Sequence, residues 1–312
     1  RRRRRRLIDP GPGPHGPGPC RRPVTRPLPS RENSPLRYVG VAPFLLFTGL
    51  FLILPTGYIV LGAFRAADGG FTLDHILGLN TPSIRNAYWV SIRISFWSAL
   101  IGSAIGLGMA AAVIHGGLPK AFRGPLMTFS GVASNFAGVA LAFAFIATLG
   151  PAGLVTLWLR SEFGVNLRAQ GFNLLSTTGL IVTYLFFQIP LMILIIAPAL
   201  DGLKREWREA AETLGASGLQ YVRMIALPIL FPSILGCFAL LFANAFGAVA
   251  TAIALTGSSL NIAPILLFAQ IRGDVLGSPG LGYALALGMV VIAGVANALS
   301  IWLRTRSERW LR

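Results

Sequence analysis

The chain has 312 residues, 54% of them hydrophobic and 12% charged, with a formal net charge of +16. A soluble domain of this length carries about twice that charged fraction, so the composition excludes an ordinary soluble protein and points to one that crosses a membrane several times. Two cysteines, Cys20 and Cys237, lie one in a tail and one in an apolar run, and His15, His75 and His115 stand alone, which leaves neither a disulfide framework nor a metal-ligand set.

Residues 1–36 are rich in Arg, Pro and Gly and contain nothing that builds a core. They read as a disordered tail. A secretory signal is disfavoured, because the apolar run that follows is too long and lacks a small-residue cleavage site. Six charge-free runs come next, at about 38–64, 94–114, 125–149, 177–200, 228–256 and 280–303, the second extending back toward Asn86. Each is long enough to cross a bilayer core as a helix, and none shows the two-residue alternation of a barrel strand. Prolines at 43, 55, 190, 198 and 232 fall inside or near the ends of spans, where neighbouring helices re-satisfy the backbone. The expected fold is an all-α membrane protein with six transmembrane helices. Its segments are the tail 1–36, a first span with its outer loop 37–84, a membrane domain 85–303 and a C-terminal tail 304–312.

Six spans put both termini on one side. Most of the 27 Lys and Arg lie in the segments that an N-in, C-in arrangement assigns to the cytoplasm. Basic loops face the cytoplasm, so N-in, C-in is the expected topology. The same placement accounts for the positive charge without nucleic acid, which requires a folded basic face or base-stacking aromatics. Two outer loops, 150–176 and 257–279, each hold a stretch that reads as a short interfacial helix: GLVTLWLRSEFG in the first and 263–271 in the second.

The longest cytoplasmic loop, between spans four and five, reads DGLKREWREAAETLGASGLQYVRMIALP. Trp207, Ala210, Ala211 and Leu214 recur at helical spacing and are expected on one face. Arg208 and Glu212 stand four apart and can pair. Gly215 sits where a helix end wants a left-handed residue. Ser217 can cap a second short helix, with Leu219, Val222, Ile225 and Ala226 expected on its membrane side. Pro228 opens span five. Small Ala210 and Ala211 allow another surface to come close, and Glu209 offers a carboxylate to a basic partner. An amphipathic interfacial helix with merely solvated charges is the plain alternative, but it does not require the Gly and the Leu-Pro at fixed spacing.

Glu209-Ala210-Ala211, three residues, Gly215, nine residues, then Ile225, one residue and Leu227-Pro228 resembles the EAA loop of ABC-importer permeases at every position. The resemblance implies a type I, MetI-like transmembrane domain over about 85–303 and a multi-pass protein of the bacterial plasma membrane. It implies that the helix-turn-helix couples the chain to a separate ATPase through Trp207, Glu209, Ala210, Ala211, Leu214 and Gly215. The implied partners are ABC ATPase subunits, a second permease subunit (a heterodimer is favoured), an extracytoplasmic solute-binding protein and the bilayer. Neither Lys120 nor Lys204 sits in a phosphate-binding loop, so ATP and Mg are expected on the partner, with no cofactor and no catalysis in this chain. The stretches TLGPAGLVTLWL and YLFFQIPLMILIIAPALDGL are similar to permeases of the polyamine, phosphonate, iron(III) and thiamine cluster, which leans the solute toward polyamines.

Polar side chains within the spans are the pathway candidates: Ser134, Asn135, Thr183, Gln188, Asn244, Thr251 and Asn297. Any of them can instead join helices by hydrogen bonds. No span holds a central Asp, Glu, Lys or Arg, which argues against a carrier driven by an intramembrane carboxylate. An ion-coupled secondary transporter working without an ATPase, and a non-transporting membrane scaffold, are the rival readings.

Overall fold

The computed structural model describes residues 36–66, 69–116, 120–257, 259–273 and 279–308. The tail expected at 1–36 falls almost entirely outside the described residues, as does the end of the tail at 304–312. Six helical stretches are long and apolar enough to cross a membrane: Val41–Ala63, Pro82–His115, Gly138–Phe163, Thr177–Asp201, Gly218–Phe246 and Gly280–Leu303. The chain divides into two compact units, Arg1–Ile53 and Leu54–Arg312.

In the first unit, α1 (Leu36–Thr48) runs into a wider-wound turn at Gly49–Ile53. Phe44, Leu45, Phe47 and Phe51 are exposed, as suits a helix whose surroundings are hydrocarbon. The second unit opens with α2 (Leu54–Ala63) and a polar connection carrying the short α3 (Asp74–Leu77). Next comes α4 (Pro82–His115), which starts earlier than the apolar run because Pro82 fits the first helical turn.

The centre of the unit is the packing of α4 on α8 (Thr177–Asp201). Along α4 the buried stripe is small: Ser91, Ser95, Ser98, Ala99, Gly102 and Gly106. Small residues let two backbones approach, which in a membrane replaces the missing hydrophobic drive between helices. A Cβ added at Gly106 would stand 2.6 Å from the Cβ of Met192. Inside this contact the Gln188 amide, fully buried, donates to the Ser98 hydroxyl at 2.8 Å. Thr183 is equally buried and donates to the Gly179 carbonyl of its own helix at 2.9 Å. An ion pair between Arg123 and Asp201 ties the start of α5 (Arg123–Asn135) to the end of α8. Both groups are close to half exposed, so it contributes about 0–1 kcal/mol.

Spans three and five are each interrupted. Helix α5 stops at Asn135 and α6 (Gly138–Leu149) restarts two residues later. Helix α11 (Leu227–Phe246) stops before Gly247, and α12 (Val249–Thr256) follows. Before the breaks, α5 packs on α8, and α11 packs on α4 and on the last helix, α14 (Pro279–Glu308). Beyond the breaks, α6 and α12 pack on each other. The two short helices expected in loops 150–176 and 257–279 form where the sequence puts them, as α7 (Leu154–Phe163) and α13 (Ala263–Arg272). Helix α7 follows α6 after a break at Gly150–Gly153 and packs on it.

Candidate functional site

The loop between spans four and five folds as two short helices, α9 (Arg205–Thr213) and α10 (Gly218–Tyr221). Its turn is over-determined by backbone bonds. Gly215 has φ +80°. The Gly215 N–H donates to the Glu212 carbonyl at 3.0 Å, and the Ala216 N–H reaches back to the Ala211 carbonyl at 2.9 Å. These two bonds together are the Schellman closure of a helix end, and they require a residue free to be left-handed at position 215. Two residues on, the Ser217 hydroxyl accepts from the Gln220 N–H, while the Gln220 side chain accepts from the Ser217 N–H at 2.7 Å. This reciprocal cap fixes the start of α10. A wider turn at Val222–Ala226 then passes directly into α11, with Pro228 in its first turn.

The faces of α9 differ from the expected single stripe. Ala211 is buried and Trp207 half-buried, packed with Leu203, Ala216, Tyr221, Ile225 and Ala226 of the same loop. Ala210 is exposed, and Leu214 is 88% exposed. The reason is length: the helix ends at Thr213, so Leu214 enters the turn and leaves the face that the spacing assigned to it. The expected membrane side of α10 splits in the same way. Ala226 is buried and Ile225 partly so, whereas Leu219 is 79% exposed and Val222 is exposed too. The outcome is an apolar outer surface of Ala210, Leu214, Leu219 and Met224. Arg205 holds Glu209 at 2.8 Å, and Arg208 holds Glu212 at 2.9 Å. Exposed pairs four apart contribute only about 0.3–0.5 kcal/mol each; the first of them holds the Glu209 carboxylate, which stays largely exposed.

The second candidate region lies at the helix breaks. Ser134, Asn135, Asn244 and Thr251 line one pocket of about 480 Å³ together with the broken backbone at Ala137–Gly138 and Gly247–Val249. Interrupted helices are tolerated at membrane depth only where the freed backbone groups find partners or line a cavity. Both conditions hold here. The Gly138 N–H, the first donor of α6, is taken by the Thr251 hydroxyl oxygen at 2.7 Å. The Tyr184 hydroxyl donates to the Ala248 carbonyl at 3.0 Å, beside a long 3.4 Å bond from the Ala252 N–H. Ser134 and Asn135 each donate to the Gly131 carbonyl. Gln188, in the α4–α8 contact, Thr183, buried on α8, and Asn297, half-buried on α14, do not line this pocket. The Tyr184 contact escaped the sequence reading. Asn135 with Gly138, and Gly247, were the available signals for the two breaks inside otherwise apolar runs.

Thr251→Val is expected to leave the Gly138 N–H unpaired and to destabilise the fold by about 1–3 kcal/mol. Thr251→Ser should keep the bond and most of the stability. Melting curves of the purified variants in detergent would check this, and equal melting of the valine and serine variants would refute it.

The family model described as "Binding-protein-dependent transport system inner membrane component" matches residues 102–312. The sulfate transport system permease protein CysT of Salmonella typhimurium (strain LT2) is 26% identical over 254 residues, covering 78% of this chain and 84% of that protein. The spermidine/putrescine transport system permease protein PotC of Haemophilus influenzae is 26% identical over 221 residues, covering 71% of this chain and 77% of that protein. Among solved structures, a bacterial ABC transporter involved in the import of alginate superposes with a TM-score of 0.66 at 18% identity, covering 88% of this chain and 95% of that one, which shows a shared fold. With the match spanning more than half its length, the chain belongs to the binding-protein-dependent transport system inner membrane component family: it is a multi-pass plasma-membrane permease subunit of an ABC importer, and ATP hydrolysis belongs to a partner ATPase.

Proposed function

We propose that this chain forms half of a pathway for a small polar solute and is driven through its loop at 203–228, with N-in, C-in topology. The observation that carries the coupling reading is the outer surface of that loop. Its turn is locked by backbone bonds, and Ala210, Leu214, Leu219 and Met224 stand exposed beside an oriented Glu209. Such a surface suits insertion into a cleft on a separate ATPase, which would bind ATP and Mg. A solute-binding protein on the opposite face would deliver the solute. For closure of the ATPase to bias the spans, the loop must contact it differently in the two states. The second subunit across the pathway is taken to be a different permease, as the resemblance to polyamine-type permeases implies.

The pocket at the helix breaks is the proposed passage. It is lined by amides, hydroxyls and open backbone, and two half-helices begin there, at Gly138 and Val249. Helix starts favour negative charge. No span holds a central carboxylate to meet a polycation. Together with the sulfate permease relative, this supports a small oxyanion over a polyamine. The polyamine lean rests on the likeness of two sequence stretches and on the polyamine relative.

The test is co-expression with a cognate ATPase and binding protein, followed by copurification and uptake. Wild type should retain the ATPase, and Glu209→Lys together with Leu214→Asp should lose it while the spans still insert. Vesicles should take up sulfate ahead of putrescine when ATP is supplied. Unchanged association in the double variant would remove the docking assignment. Uptake without any ATPase would favour the secondary transporter, and association without uptake of any solute would favour the scaffold.

A further inference from the structure

A groove of about 1110 Å³ opens between the first turns of α4 and the first half of α14, roofed by Ile76 and Leu79. It lies away from both regions described above, and its two ends differ chemically. Ile92, Leu287, Val291 and Ile292 make a long apolar body. Arg85 and Asn86 stand at the other end, in the first turn of α4, with Trp89 one turn further along. The two helices are held apart rather than closed together. The Tyr88 hydroxyl, donating to the Leu285 carbonyl at 2.6 Å, is wedged against Gly288, where an added Cβ would lie 2.5 Å from it. Trp89 is 61% exposed and Val291 53% exposed, so the groove opens sideways.

We propose that this groove holds one anionic phospholipid, with its phosphate on Arg85 and Asn86 and an acyl chain along Ile92, Val291 and Ile292. Arg85 carries the argument. Among the described residues it pairs with no carboxylate, and it borders an apolar slot at a span end. Guanidinium matches phosphate oxygens in a two-bond fork. Trp89 is placed as tryptophans are at headgroup depth. A span from a second copy of this chain fits the groove less well, because the charge-free runs of its spans carry no Asp or Glu to meet Arg85. A charged head and an apolar body of this relative placement are the two halves of an amphiphile.

The experiment is native mass spectrometry of the full-length protein released from mild detergent, with bound lipids identified after extraction. One phosphatidylglycerol per chain is expected on wild type. Arg85→Gln should lower occupancy about fivefold, the fold-change of roughly 1 kcal/mol per basic residue at an anionic surface, and Arg85→Lys should lower it less. Val291→Trp, which fills the apolar body and leaves Arg85 in place, should displace the lipid independently. Added phosphatidylglycerol should raise the melting temperature of wild type and not of Val291→Trp, while phosphatidylethanolamine and inorganic phosphate should do neither. Equal lipid retention in all variants would reduce the finding to ordinary boundary lipid and overturn the proposal. So would a disulfide formed between chains by Val291→Cys in native membranes, which would show a protein helix in the groove. If Arg85→Gln fails to fold, Val291→Trp and Arg85→Lys decide.

Discussion

Gly215→Pro will abolish ATP-driven uptake while all six spans still insert. Proline fixes φ near −65° and carries no N–H, whereas residue 215 sits at φ +80° and donates to the Glu212 carbonyl. The substitution loses that bond and cannot adopt the backbone, at a cost of about 3 kcal/mol or more. Nothing crowds the position, so the penalty is conformational and stays local to the turn. The spans do not depend on it, but the angle between α9 and α10 does. If that angle presents Leu214, Leu219 and Glu209 to an ATPase, a loss of about 3 kcal/mol in coupling corresponds to roughly a hundredfold fall in uptake. Gly215→Ala keeps the N–H and meets only the left-handed penalty of about 1–2 kcal/mol, so it should retain measurable transport. The readout is solute uptake into vesicles alongside protease accessibility of the loop. Wild-type uptake by the proline variant would show that the turn does not transmit the ATPase stroke.

Gly106→Leu will fail earlier, in folding. An added Cβ at Gly106 meets Met192 Cβ at 2.6 Å and the Ile189 carbonyl oxygen at 2.8 Å, and one at Gly102 meets Gln188 Cβ at 2.9 Å. Three further carbons beyond that Cβ have nowhere to go without driving α4 off α8. Overpacking of this kind costs about 1–3 kcal/mol even where a core can adjust, and here backbone blocks the adjustment. The separation would also strain the buried Gln188–Ser98 hydrogen bond. Membrane yield and melting temperature should both collapse. Gly108→Leu is the control on the same helix, since nothing lies within 4 Å of that position, and it should accumulate and melt like wild type. Similar behaviour of the two leucine variants would show that α4 and α8 do not meet closely at Gly106.

The six spans were legible because a bilayer imposes a length and an apolarity that leave long charge-free runs. Helices α7 and α13 were legible for the same reason on a smaller scale. The turn at Gly215 and the cap at Ser217 could be read because each is a local interaction within six residues. The faces of α9 could not be read fully. Periodicity places Leu214 beside Ala211, but the helix stops one residue short, and its end is set by the Schellman bonds rather than by the apolar spacing. The pathway candidates divide for a different reason. Ser134, Asn135, Asn244 and Thr251 come together because two helices break at matching points, whereas Gln188 meets Ser98 across the α4–α8 contact. Composition marks all of these as polar residues in apolar runs. Which of them face one another depends on which helices touch, and that lies outside any single run.

The paired interruptions in spans three and five give the domain a mechanical property. An unbroken helix resists bending because every bend must stretch backbone bonds along one side. At Phe136 and at Ala248–Val249 the backbone N–H groups turn to nearer carbonyls in place of the usual helical ones. The segments beyond the two joints, α6 and α12, lie against each other and are clasped by the Gly138–Thr251 bond. The bonds from Thr251 and Tyr184 hold the two joints, while Leu141, Ala142, Ala252 and Leu255 of the two segments are buried in one cluster with Ile94, Leu180 and Phe187 of the neighbouring helices. Each such bond contributes only about 1 kcal/mol, so at this level packing against the neighbouring helices, more than the joints themselves, sets the stiffness of the domain.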